Sequence, residues 1–221
     1  MTALPADAPQ PDPTCHAYDQ VAHLYAQRIY PELYFKPFDR EQLDRLSERV
    51  GALGPICDLG CGPGQVARYL KDHGAATLGV DLSPAMTVQA AALNPDIAFQ
   101  VGDMRALTGV ADGAWGGLAA FYSLIHLSRP ELPGALRELR RALVPGGWLL
   151  AAVHLGSETL HRDELWGLPV SLDFYHFTSA ELREYLEQAG LTVVEVLERD
   201  PYPPDIEYQS RRGYLFAQRP P

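Results

Sequence analysis

An apolar run, Ile56-Cys57-Asp58-Leu59, leads without a break into Gly60-Cys61-Gly62-Pro63-Gly64, and a helix-forming stretch, Gln65–His73, follows until Gly74 stops it. Three alternating glycines let the backbone turn tightly and approach a ligand that a Cβ would hold off. The alternation of strand and helix then repeats along the chain. Strands are expected at Thr77–Val80, Ile97–Val101, Trp115–Tyr122 and Trp148–His154, and helices at Pro84–Leu93 and Pro130–Leu143. Ser179–Ala189, closed by Gly190, forms another helix, and further strands are expected at Thr192–Leu197 and near Gly213–Ala217. Such repeats predict an α/β, doubly wound, mainly parallel sheet with helices on both faces. Between the last two strands, Asp200-Pro201-Tyr202-Pro203-Pro204-Asp205 can only be a loop. Those strands therefore pair antiparallel or stand apart in the sheet. Ligands of sheets of this kind bind at the carboxyl ends of the strands.

Two helices precede this alternation. Cys15–Ile29 sets Tyr18, Val21, Ala22 and Tyr25 at helical spacing, and the stretch after Phe38 sets Leu43, Leu46 and Val50 on one face before Gly51. Residues 1–14, rich in Pro and Ala, are expected to be a disordered leader. The remainder, 15–221, reads as one domain, since 221 residues at 47% hydrophobic content suit a single α/β core. No apolar run is long enough to span a bilayer, and the start lacks the basic and apolar regions of a secretory signal. A cytoplasmic protein without a membrane partner is expected. The net charge of −10, with only the short basic pairs Arg140-Arg141 and Arg211-Arg212, argues against a nucleic acid substrate. Cys15, Cys57 and Cys61 lack metal-site spacing, and the latter two read as small buried thiols.

Three acids close successive strands. Asp58 precedes the glycine loop, where it can meet a cationic ligand better than a pyrophosphate. Asp81, in Leu78-Gly79-Val80-Asp81-Leu82-Ser83, can accept from both hydroxyls of a ribose, while Ser83 is the better cap for the helix at Pro84. Asp103, in Val101-Gly102-Asp103-Met104, can accept from an adenine amine as the Met104 N–H donates to a ring nitrogen. Alone, each has a plainer reading: a glycine-rich turn or dinucleotide loop, a helix cap, a Gly-Asp turn. In register, the three can address the aminoacyl part, ribose and base of one cofactor.

With Asp58–Gly64, Asp81 and Asp103-Met104 in this order, and Leu143-Val144-Pro145-Gly146-Gly147-Trp148-Leu149 resembling a post-helix Pro-Gly-Gly turn, the chain resembles the class I, Rossmann-like S-adenosylmethionine-dependent methyltransferases. The resemblance covers roughly Tyr18 to Leu150. It implies a seven-stranded sheet with an antiparallel last strand. It also implies S-adenosyl-L-methionine as the donor, S-adenosyl-L-homocysteine as the product, and a cofactor site built from Asp58, Gly60, Cys61, Gly62, Gly64, Asp81, Leu82, Met86, Asp103, Met104, Phe121 and Tyr122. A tyrosine of the first helix, Tyr18 or Tyr25, is implied to close on the cofactor. The Asn-Pro-Pro-Tyr type motif of exocyclic-nitrogen methylases is missing after the fourth strand, and so is the acid that metal-dependent relatives need there. The expectation is a metal-independent enzyme that methylates an oxygen or nitrogen of a small molecule.

The acceptor half is less defined. His126, just past the fourth strand, and His154, at the end of the fifth, are each a candidate general base or substrate ligand, with a packed, hydrogen-bonded histidine as the plainer reading. His161 and His176 reach the mouth only if the segment 155–178 folds over it. That irregular, aromatic-rich segment and the helix in 15–37 are expected to be the two halves of a lid. Glu207 beside Arg211-Arg212 reads as a local ion pair, or as an anionic-substrate pocket. An activated methyl needs no signature base. A cofactor-binding sensor or scaffold therefore stays open as a rival, as does an NAD-dependent oxidoreductase that uses Asp81 for its ribose. Whether the protein is a monomer or a homodimer is also left open.

Overall fold

A computed structural model describes residues 12–221. Its main sheet has seven strands in the order β3-β2-β1-β4-β5-β9-β8. These are β1 (Ile56–Leu59), β2 (Thr77–Asp81), β3 (Ala98–Val101), β4 (Trp115–Phe121), β5 (Leu143–His154), β8 (Thr192–Arg199) and β9 (Arg212–Gln218). β1 to β5 pair in parallel, and β9 runs antiparallel to both β5 and β8. The last two strands thus pair antiparallel, as the helix-free connection allows. The sheet grows one way from β1 to β2 and β3, and the other way to β4 and β5. The reversal between β1 and β4 opens a cleft at their carboxyl ends.

Six helices cover the sheet: α1 (Pro13–Ile29), α2 (Pro37–Val50), α3 (Gln65–Asp72), α4 (Pro84–Leu93), α5 (Leu132–Ala142) and α6 (Ser179–Gln188). The central strands are apolar on both sides, as a sheet covered on both faces requires. On β5, Leu149, Ala151 and Val153 pack with Leu136 and Leu139 of α5 and Leu182 of α6. Leu150 and Ala152 face the opposite way, toward Leu43 and Leu46 of α2 and Val66 and Leu70 of α3. Among the described residues, no helix is long and apolar enough to cross a membrane.

Two stretches differ from expectation. α1 begins at Pro13, because the Asp12 side chain accepts from the N–H groups of Thr14 (2.9 Å) and Cys15 (3.3 Å), a cap that the position of Pro at the first turn completes. Asp12–Thr14 therefore belongs to the helix start, and the rest of the expected leader, residues 1–11, lies outside the described residues. The segment 155–178 is regular. β6 (Thr159–Leu165) and β7 (Leu168–Tyr175) form an antiparallel hairpin joined by Trp166 and Gly167, whose φ values of +52° and +86° suit a two-residue hairpin turn. A single Trp-Gly pair between weakly alternating, mostly exposed strands is a faint signal for a hairpin, which is why the sequence reads as irregular there.

Candidate active site

The carboxyl ends of β1, β2 and β4 and the turn after β3 open on a cavity of about 580 Å3. The glycine loop forms one wall. Gly60 has a φ of +70°, and a Cβ there would stand 2.4 Å from the Ser123 Cβ, so only glycine fits between β1 and the turn after β4. Gly60→Ala is expected to cost about 1–3 kcal/mol of stability through strain and crowding. It should also abolish binding of S-adenosylhomocysteine; melting curves and calorimetry check both.

Asp81 accepts from the loop through its Oδ2, 2.7 Å from the Gly62 nitrogen, and from the Ser83 N–H through Oδ1 at 2.9 Å. Ser83 in turn caps α4 by accepting from the Met86 N–H. A carboxylate has about four acceptor sites, so Asp81 keeps capacity for two ligand hydroxyls. Leu82 and Met86 line the cavity beside it. Two buried acceptor oxygens next to the loop, Ser123 Oγ and Gln65 Oε1, have no partner among the described residues, and both side chains line the cavity. Gln65 also donates to Glu32 at 3.0 Å. Orphaned acceptors and a carboxylate around a glycine loop suit a ligand tail bearing a cationic amine; they do not suit a pyrophosphate. These residues fit S-adenosylmethionine.

Two expected cofactor residues do not line the cavity. Asp58 is buried behind the loop, and its Oδ2 accepts from the Ala67 N–H at 3.0 Å. It thereby caps the first turn of α3, because the N-cap residue, Gly64, has no side chain to do so. Gly64 starts that helix and faces Phe99 and Asn94. Burial pushes the Asp58 carboxyl up to about 7, against the pull of the Ala67 N–H. Asp81 is likewise pushed up to about 6 by burial, against its two backbone N–H bonds. The folded protein thus holds the Asp58 proton more tightly than the unfolded chain, whose carboxyl has its ordinary value of 3.8. The stability this contributes is full below that value and is lost as pH rises through about 7. Asp58→Asn cannot ionise, so its melting temperature should gain on the wild type between pH 4 and pH 8. A constant offset would refute this account.

Asp103 and Met104 reach the cavity, but Arg105 occupies Asp103 first. The Arg105 Nε lies 2.9 Å from Oδ1 and its terminal nitrogen 2.7 Å from Oδ2. The same guanidinium grips Asp12 at 2.6 Å and Glu131 at 3.0 Å, tying the start of α1 to the end of β3. A base amine would be an additional, shared donor to Asp103.

α1 and the hairpin meet over the opening. The Tyr25 ring comes within 3.6 Å of where a Gly62 Cβ would lie, and its other side meets Trp166 at 5.8 Å between centroids. Tyr18 stands edge-on to Tyr25 at 5.6 Å. Its hydroxyl lies 2.7 Å from His126 Nε2, and His126 Nδ1 lies 3.1 Å from the Asp173 carbonyl on β7. A carbonyl only accepts, so Nδ1 carries the proton and Nε2 accepts from Tyr18. Burial pushes His126 down to about 4. With both nitrogens engaged, His126 clasps α1 to the hairpin.

At the far end of the cavity, beyond Phe121 and Tyr122, stand His154, His176, Lys36, Tyr208 and Arg212. Tyr122 has a φ of +53°, unusual for a bulky residue, and its hydroxyl is held by Asp39 (3.2 Å) and Tyr214 (3.0 Å). His154 packs 5.2 Å from the Tyr122 ring. Burial above all, and then the Arg212 charge, push it down to about 2. His161 instead lies on the exposed side of the hairpin, between Asp163 and Asp173. Glu207 pairs chiefly with Arg199 at 2.5 Å and more loosely with Arg212 at 3.5 Å, while Arg211 turns to Glu198 and Asp200. The expected Glu207 ion pair thus falls mainly on a different arginine. Among the described residues, no group of three His, Cys, Asp or Glu side chains is arranged to hold a metal ion. Sequence reasoning missed Lys36, Arg105 and Tyr208 as lining residues, and no local pattern marks them.

The sheet order and the glycine turn after β1 give the Rossmann-like fold shared with class I S-adenosylmethionine-dependent methyltransferases. Residues 56–147 match the family model described as a methyltransferase domain. That span runs from β1 to the turn inside β5, and so includes all three acids. A malonyl-[acyl-carrier protein] O-methyltransferase of Pseudescherichia vulneris is 34% identical over 114 residues, 49% of this chain and 43% of its own length. The chain spans less than half the length of the malonyl-[acyl-carrier protein] O-methyltransferases it is similar to. Among solved structures, the Burkholderia thailandensis 1,6-didemethyltoxoflavin-N1-methyltransferase, with its substrate and S-adenosylhomocysteine bound, has a TM-score of 0.67 at 19% identity, over 98% of this chain and 94% of that one. The [4+2]-cyclase SpnF has a TM-score of 0.68 at 21% identity, over 94% and 96% of the two chains.

Proposed function

We propose that the protein transfers the methyl group of S-adenosylmethionine to an oxygen or nitrogen of a small molecule, with no metal ion. The observation that carries this reading is a single covered cavity. The loop, Asp81 and two orphaned acceptor oxygens line one end, and imidazoles and aromatic rings line the other. A sulfonium methyl is already activated, so the protein's task is to hold a nucleophile in line with it and away from water. α1 and the hairpin, meeting over the opening, are the covers that do this. Calorimetry should show binding of S-adenosylhomocysteine and none of NAD. Incubation of methyl-labelled donor with metabolite extracts should then put label into a small product, undiminished by a chelator. A second reading, a protein that binds the donor without transferring its methyl, draws on SpnF, a chain of the same fold described as a cyclase. Donor binding with no labelled product across several extracts would favour it.

A further inference from the structure

We propose that His154 and His176 act as a matched pair with opposite proton placement, His176 as the base and His154 as a hydrogen-bond donor, and that together they select an uncharged hydroxyl as the methyl acceptor. The inference rests on the methyltransferase reading and narrows its acceptor. The rings lie nearly parallel, 21° apart with centroids at 5.4 Å, and both line the far end of the cavity.

Proton placement follows from their partners. His176 Nδ1 is 2.9 Å from Glu158 Oε1. A carboxylate only accepts, so Nδ1 holds a proton, and in the neutral imidazole Nε2 presents a lone pair. His154 Nδ1 is 2.7 Å from Ser210 Oγ. The Arg212 guanidinium, itself only a donor, is bonded to that oxygen and, at 2.6 Å, to the Ser210 carbonyl. The serine hydrogen has no other acceptor among the described bonds, so it goes to His154 Nδ1 and leaves the His154 proton on Nε2. Among the described residues neither Nε2 has a hydrogen-bond partner, and both rings line the cavity.

A hydroxyl can give its proton to one Nε2 and accept from the other. A carboxylate has no proton to give and would face the His176 lone pair, while an ammonium has no lone pair for the donor on His154. In the transfer, the O–H proton passes to His176 Nε2 as the oxygen's electron pair forms the new O–C bond. The S–CH3 bond breaks with its pair left on sulfur, so the positive charge moves from sulfonium to imidazolium. Ser210 and Glu158 are positioning residues for the two rings.

The test is two-bond proton–nitrogen NMR on the full chain with 15N-labelled histidine and bound S-adenosylhomocysteine, followed by titration with phenol and with benzoate. Protonated Nε2 in His154, protonated Nδ1 in His176, and shifts at both Nε2 atoms with phenol but not benzoate are expected. Ser210→Ala should release the tautomer of His154 alone, and Glu158→Ala that of His176 alone. The same tautomer in both rings, a swapped assignment, or any other response to the two probes overturns the proposal. Failure to bind S-adenosylhomocysteine would instead count against the methyltransferase reading and leaves the tautomer assignment to be read in the unliganded chain.

Discussion

Replacing Arg199 with methionine is expected to remove about 3–5 kcal/mol of stability, the scale for stripping one partner from a buried ion pair. For a chain of this size that is a fall of roughly 6–20 °C in melting temperature. Arg199 on β8 donates to Asp39 at 3.0 Å, to Glu207 at 2.5 Å and to the Tyr214 hydroxyl at 3.0 Å. Asp39 and Glu207 are almost wholly buried, with side-chain exposures of 1% and 2%. Glu207 would keep Arg212 at 3.5 Å and Lys36 at 3.7 Å, but among the described residues no other cation pairs with Asp39. The damage should therefore concentrate on Asp39, and adding Asp39→Asn to Arg199→Met should recover part of the loss. Chemical unfolding of the two single variants and the double one forms the cycle. A loss below about 1 kcal/mol, or no recovery, would mean that water reaches the cluster and screens it. The consequence extends to the site, because Asp39 and Tyr214 hold the Tyr122 hydroxyl and Glu207 holds the Tyr202 N–H of the loop that carries Ser210.

What the sequence discloses divides along the same line. Periodicity, the glycine loop and the Pro and Gly boundaries are local signals, and they place the main strands, their antiparallel ending and the cofactor end of the cleft close to where they stand. Asp81 stands at the strand end where the sequence puts it, and the neighbouring Ser83 takes the capping work. Asp58 and Gly64 are half legible. The loop they flank lines the cavity, but which members face it depends on how α3 satisfies its first N–H groups. The acceptor end depends on partners far apart in the chain. Tyr18 and His126 are 108 residues apart, Asp39 and Arg199 are 160, and His154 and Ser210 are 56. No spacing rule reaches across such distances, so a histidine at a strand end reads the same whether it clasps a lid, donates a proton or takes one. His176 and Glu158 stand on either side of a hairpin whose strands are mostly exposed and only weakly patterned, so their pairing has no amphipathic trace.

Asp81→Ala should weaken binding of S-adenosylhomocysteine by at least about 100-fold, and Asp81→Asn should come close to it. Two hydrogen bonds from ribose hydroxyls to a carboxylate contribute about 1.5–3 kcal/mol each, and every 1.4 kcal/mol is a factor of ten in affinity. Alanine also frees the Gly62 N–H at 2.7 Å and the Ser83 N–H at 2.9 Å, so the loop loses its tie to the start of α4. Asparagine is nearly isosteric, but its amide nitrogen must face one of those two N–H groups, because each carboxylate oxygen already accepts from one of them. A donor would then meet a donor on one side while the charge is lost on the other. If Asp81 acted only as a backbone clip, glutamate or asparagine variants that preserved the fold would bind almost normally. If it is the ribose acceptor, affinity falls in Asp81→Asn even where the melting temperature of the unliganded protein changes little. Calorimetry and melting curves on the same samples separate the two roles, and near-normal affinity in Asp81→Asn would remove Asp81 from the cofactor site.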